Sequence, residues 1–196
     1  MGIYLVSVAA DEWFGEGEGG LGELAAALNG ELARRGLPPY DSVPAEAEFV
    51  RGSGLSFEEK LSTPMDGFVA LCDEHLTPEQ TRTLSDWSVL VPCSLEHSVE
   101  LPVPTAYTDD ALVSGAPQVL ALAERLAAVL ALPTDAIPAT SDNLELTLWF
   151  GDGPAREHAA AHPGPWSADL AAAFHVALHL RAAQHSLRRN CPLTYC

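Results

Sequence analysis

The chain has 196 residues, 47% of them hydrophobic, which is enough to bury the core of one domain spanning 1–196. Twenty-seven acidic side chains against ten basic ones give a formal charge of -17, which opposes phosphate backbones and anionic lipid and excludes nucleic acid and the membrane surface as expected partners. The longest apolar stretch, near 111–132, is broken by Pro117, Glu124 and Arg125, and the first residues lack a basic leader, so a cytoplasmic location is expected.

Ile3 to Ala9 is a β-branched and aliphatic run without clean alternation, as in a strand covered on both faces. Residues 11–23 follow as an acidic, glycine-rich segment. It lacks the lysine and the glycine order of phosphate loops, and its carboxylates would repel a phosphate, so it reads as a mobile acidic loop. Leu21, Leu24, Leu28 and Leu32 recur at helical spacing, and Gly36 with Pro38-Pro39 ends that helix. Residues 38–54 read as a long loop, a type of segment that in compact domains is either functional or mobile.

Thr63-Pro64-Met65-Asp66 and Thr77-Pro78-Glu79-Gln80 each resemble a capping box ahead of a helix, the first burying Phe68, Leu71 and Cys72. Trp87 to Val91 is a strand ended by Pro92, and Glu100 to Tyr107, with two prolines, suits only an edge strand or an extended connection. Ser114 is placed to cap a helix over 116–130 whose apolar side is Val119, Leu122, Leu126 and either Val129 or Leu130. Leu144, Leu146, Leu148 and Phe150 alternate with Glu145, Thr147 and Trp149, the pattern of a half-buried strand. A short helix over 154–162 follows.

The longest patterned segment is Trp166 to Arg189. On a helical wheel its apolar arc covers roughly two thirds of the circumference, so the helix is expected at the centre of the molecule. Ser167 is its expected N-cap and Asn190 its left-handed C-cap, with a short tail over 190–196. The fold class is therefore α+β, a small mixed sheet of three to four strands with five to six helices.

Two histidine pairs carry the most suggestive chemistry. His158 and His162 are four apart on the short helix, and His175 and His179 are four apart on the long one, so each pair presents two imidazoles on one face. Convergence of all four would make a site for a divalent transition metal, although no cofactor is required by any motif. His175 and His179 are also the candidates for histidine acid–base catalysis. His185 lies about 120° round the wheel from His179, and with Cys191 and Cys196 forms a second, poorer zinc or thiol constellation. Cys72 and Cys93 suit small core positions, whereas the two tail cysteines are expected to be exposed.

No nucleotide-binding, nucleophile-elbow or kinase motif occurs. The function expected is that of an inhibitor or immunity-type interaction protein that binds a basic protein partner, with Trp13, Phe14, Glu16 and Glu18 as its contact residues, a core role for one or both aromatics being the other reading. The alternative is a small metal-dependent or histidine acid–base enzyme centred on the last helix. Whether the chain is an enzyme is left open at this level.

Overall fold

The last strand of the chain lies in the middle of the sheet. In the computed structural model, which describes residues 2–17 and 19–196, six strands form one mixed sheet: β1 (Ile3–Ser7), β2 (Glu58–Leu61), β3 (Val89–Val91), β4 (Val99–Leu101), β5 (Ala111–Gly115) and β6 (Leu193–Tyr195). Their order across the sheet is β2-β1-β6-β3-β5-β4. Only β3 and β5 run parallel; the other neighbours are antiparallel.

Eight α-helices occur among the described residues: α1 (Ala10–Trp13), α2 (Gly22–Arg34), α3 (Asp66–His75), α4 (Pro78–Ser85), α5 (Ala116–Leu130), α6 (Glu145–Gly151), α7 (Pro154–Ala161) and α8 (Leu170–Arg189). The mixed helix-and-sheet class therefore holds, while the expected three to four strands and five to six helices are too few. None of these helices is long and apolar enough to cross a membrane.

The sheet separates two cores, as strand alternation requires. Leu5, Leu90 and Leu193 point to one face and pack with Phe68, Trp87, Leu126 and Phe174 of the α3, α5 and α8 side. Val8, Val89, Val91 and Val113 belong to the other core, with Trp13, Leu24, Leu28 and Leu32 from α1 and α2. Helix α8 is central, as its wide apolar arc predicts, and packs against α3, α5, α6 and β3.

Several local expectations need correction. The alternating segment 144–150 is helical, because Leu146 and Phe150, one turn apart, are the buried pair while Leu148 faces outward. The carboxylate of Glu59, fully buried in β2, accepts from the Leu146 and Thr147 amides at 2.7 and 2.8 Å and from the Thr147 hydroxyl at 2.7 Å, which satisfies that helix start. Burial pushes the Glu59 carboxyl up, and these hydrogen bonds oppose the push. Residues 190–196 are more than a tail: they contain β6, too short to leave a periodicity.

The cap of α8 is Asp169, whose Oδ1 accepts from Ala171 and Ala172 at 3.0 Å, while Ser167 belongs to a preceding 3-10 turn, Pro165–Ala168. Asn190 takes the left-handed cap as expected, and the Thr77 capping box forms. The first box does not: α3 starts at Asp66, with no side-chain cap. Ser114 lies within β5 and bonds to the Ser98 hydroxyl at 2.8 Å instead of capping α5.

The glycines of the acidic segment serve a tight closure after α1. The Gly22 amide donates to the Gly15 carbonyl at 2.9 Å, and a Cβ on Gly20 would stand 2.3 Å from that same oxygen. Close backbone approach explains the glycine there without any ligand.

Replacing Glu59 by Ala strands two buried amides at the start of α6. A loss of about 3 kcal/mol in urea unfolding is expected, and a loss below about 1 kcal/mol would show that water replaces the carboxylate.

Candidate functional site

Helix start and strand end meet at the carboxyl end of β1. There the chain leaves Val8 for α1, while β2 begins at Glu58 and β6 is entered through Cys191 and Pro192. The Val8 amide donates to the Pro192 carbonyl, and the Ser7 amide to the Phe57 carbonyl, each at 2.9 Å. Between these elements and the segment 44–49 is a cleft of about 460 Å3, within the range of small-ligand sites.

Its walls come from separate parts of the fold. Asp11 and Glu12 project from α1, Glu46 and Phe49 from the long loop, Glu58 from β2, and Arg189 and Cys191 from the end of α8 and beyond. Five carboxylates, counting Asp142, therefore face one guanidinium. Among the described residues no carboxylate lies within 4.0 Å of a nitrogen of Arg189, and its buried Nε has no partner.

The loop that closes the cleft is held at both ends. Asn29 brackets Tyr40, accepting from its amide at 2.7 Å and donating to its carbonyl at 3.2 Å, and the Tyr40 hydroxyl donates to the Asn190 carbonyl at 3.1 Å. The Ala10 amide then takes the Pro44 carbonyl at 2.9 Å. At the far end the buried carboxylate of Asp142 accepts from the amides of Gly54 and Ser56 at 3.0 and 3.2 Å and from the Ser56 hydroxyl at 3.3 Å. Gly54 has a φ of 69°, and a side chain there would also press on Arg188 and Thr140. Between the anchors the tip exposes Phe49 at 58% and Val50 at 53%.

Partial burial and the neighbouring charges of Asp11 and Glu46 push the Glu12 carboxyl up. The cleft acids are nevertheless spread over the walls, for among the described residues no three His, Cys, Asp or Glu side chains stand close enough to hold a metal ion.

The histidines chosen from sequence fall elsewhere. His158 and His162 stack on each other on α7, with ring centroids 4.7 Å apart, and His158 also lies against Trp149 and Trp166. His175 and His179 are 1% and 2% exposed and both lie on Phe68. The two pairs do not converge. Their narrow polar strip faces inward because α8 is covered on all sides through its middle turns.

His175 Nε2 is 3.1 Å from the Thr63 hydroxyl and 3.2 Å from the Thr63 carbonyl, and the buried Nδ1 has no partner. His179 stacks on Phe68 and meets the edge of Trp87. His185, 2% exposed, lies beside Phe57, accepts at Nδ1 from Arg188 at 3.4 Å, and has an unpartnered Nε2.

The second constellation does not assemble either. Cys191 is buried, contrary to its expected exposure, and burial pushes its thiol up to about 12, against the thiolate needed for a nucleophile. Cys196 is exposed, and all four cysteines are free.

Of the expected contact residues, Trp13 is fully buried against Tyr40, with centroids 5.8 Å apart, so it is a core residue. Phe14 and Glu16 are exposed beside a second groove of about 600 Å3 lined in part by Gly15, Gly17, Gly20 and Gly22. Glu18 lies outside the described residues.

Sequence reasoning missed Glu12, Glu46, Glu58, Phe49 and Arg189 as one group. The available signals were the carboxylates directly after the first strand and the length of the 38–54 loop. A scan against protein-family models and searches of curated proteins and of solved structures return no match to this chain.

The buried histidines make stability fall in acid. Burial, with the charge of His175 as a lesser cause, holds His179 at about 3, and burial, with Arg188 and Arg189, holds His185 at about 3, against an ordinary value of 6.5. The unfolded chain thus takes up more protons between these values. The contribution is complete above about pH 6.5 and is lost as pH falls towards 3, at about 2 kcal/mol per histidine by pH 5. His179→Leu is expected to reduce the fall in urea-unfolding free energy between pH 7 and 5 by that amount; an unchanged slope would contradict the buried, neutral ring.

Proposed function

We propose that this protein acts by binding a basic protein partner, through the face around the cleft at the end of β1. The observation that carries this reading is the combination in one concave surface of carboxylates from three elements with the exposed apolar tip of a loop anchored at both ends. Carboxylates alone steer association but hold little, because exposed pairs are screened by salt. An apolar rim supplies buried area on docking, and Phe49 is of the type that anchors interfaces. The charge of -17 raises the encounter rate with a basic surface.

The alternative, an enzyme working through His175 and His179, requires rings within reach of a substrate. Rings 1% and 2% exposed against Phe68 lend it no support.

Fluorescence anisotropy with a labelled peptide of alternating Arg and Leu tests the surface. At about 50 mM salt, Glu12→Lys with Glu46→Lys is expected to weaken binding about tenfold or more. The same charge reversal outside the cleft, at the exposed Glu74 and Glu96, is expected to weaken it less than about twofold. Equal losses from both pairs, or no binding at all, would overturn the reading.

A further inference from the structure

Independently of the cleft, we infer that His158 and His162 form a two-point chelate on α7 for a divalent transition metal of the imidazole-preferring class, Ni2+ or Cu2+. Residues four apart on a helix stand one above the other, with Cβ atoms about 5–6 Å apart. The rings of this pair are closer than that, with centroids 4.7 Å apart and planes 26° from parallel. Metal–imidazole bonds are about 2.0–2.1 Å long, so two nitrogens on adjacent positions of one ion stand about 3 Å apart, a span that neighbouring rings on one helix face can meet by side-chain rotation. His175 and His179 have the same spacing, but burial closes them to an ion.

The surroundings brace one ring and leave the other free. His158 is half-buried, its ring centroid 6.2 Å from that of Trp149 on α6 and 5.7 Å from that of Trp166 in the 3-10 turn. Packed against two indoles, this ring loses little freedom on binding. His162 is exposed and is the C-cap of α7, the helix end at which positive charge is favoured. The charge of -17 draws cations to the surface as a whole, and the imidazoles select those that prefer nitrogen. Among the described residues no three His, Cys, Asp or Glu side chains can hold an ion together, so the pair has no third protein ligand of these types. A closed structural zinc site takes four protein ligands, which this pair does not build. The ion keeps its remaining positions for water, as the tetragonal geometry of Ni2+ and Cu2+ allows. Binding is a ligand exchange without a redox step, each neutral imidazole nitrogen replacing one water of the ion.

The experiment titrates the untagged protein with NiCl2, following tryptophan fluorescence and, by equilibrium dialysis, the nickel bound. Ni2+ on the pair stands beside Trp149 and Trp166, so saturable quenching with one equivalent bound is expected. His162→Gln is expected to weaken binding about tenfold or more, because a single imidazole forfeits the second bond of the chelate. His97→Gln, which removes an exposed histidine beside Glu79 and Glu96, is expected to change it less than about twofold. Equal losses in the two variants, binding that ignores His162→Gln, or no saturable binding would overturn the chelate and leave the basic-partner reading standing. His162 is exposed, so its substitution tests coordination without removing core packing.

Discussion

The pairing of β6 with both β1 and β3 is the constraint on which the rest of the molecule depends. Among the described residues the sheet is otherwise two separate pieces, β2 with β1 on one side and β3, β5 and β4 on the other, and β6 is the strand that hydrogen-bonds to both. β6 follows α8 after three residues, the first of them the left-handed Asn190, so strand and helix are close-coupled in the chain. The Cys191 amide returns to the Ser186 carbonyl at 3.3 Å and the Ser186 hydroxyl donates to the Cys191 carbonyl at 2.8 Å, so helix and strand are locked at the corner. That corner carries Arg189 and Cys191 to the end of β1, where the cleft forms.

Ionisable groups are divided between the surface and the interior according to whether partners can be found. The two buried carboxylates, Glu59 and Asp142, are each satisfied by amides and hydroxyls, and each anchors a segment: Glu59 the start of α6 and Asp142 the end of the long loop. The three histidines inside α8 are buried as neutral aromatic surfaces, packed against Phe68 and Phe57, each with an unpartnered nitrogen. Carboxylates without such partners stay at the surface, and the walls of the cleft collect several of them beside an apolar loop tip. The interior thus holds neutral imidazoles and hydrogen-bonded carboxylates, and the remaining acids stay outside.

Helix α8 illustrates how far patterning reaches. Its wide apolar arc correctly places it at the centre, and Asn190 correctly ends it. The same wheel marks His175 and His179 as a polar strip, and here it fails, since a wheel knows residue type and angle but not what packs on the other side. The segment 144–150 fails for a related reason: over seven residues, buried positions at 146 and 150 satisfy both a period of two and one helical turn. The edge strand expected from 100–107 appears as β4 at the sheet edge, whereas β5, buried at all five positions, shows no alternation and β6 is too short for any period to register.

By itself the sequence determined the mixed helix-and-sheet class, the central helix, the caps at Thr77 and Asn190, and an acidic character that disfavours polyanions. These follow from local propensity, from periodicity over long segments and from summed charge, all of which are properties of residues near one another in the chain. Only the tertiary structure decided that the last residues complete the sheet, that the histidine pairs stay apart, and that Glu12, Glu46, Glu58 and Phe49 share one cleft. Those positions are brought together by strand pairing and loop anchoring between residues as far apart as Tyr40 and Asn190, contacts whose energies no local pattern encodes.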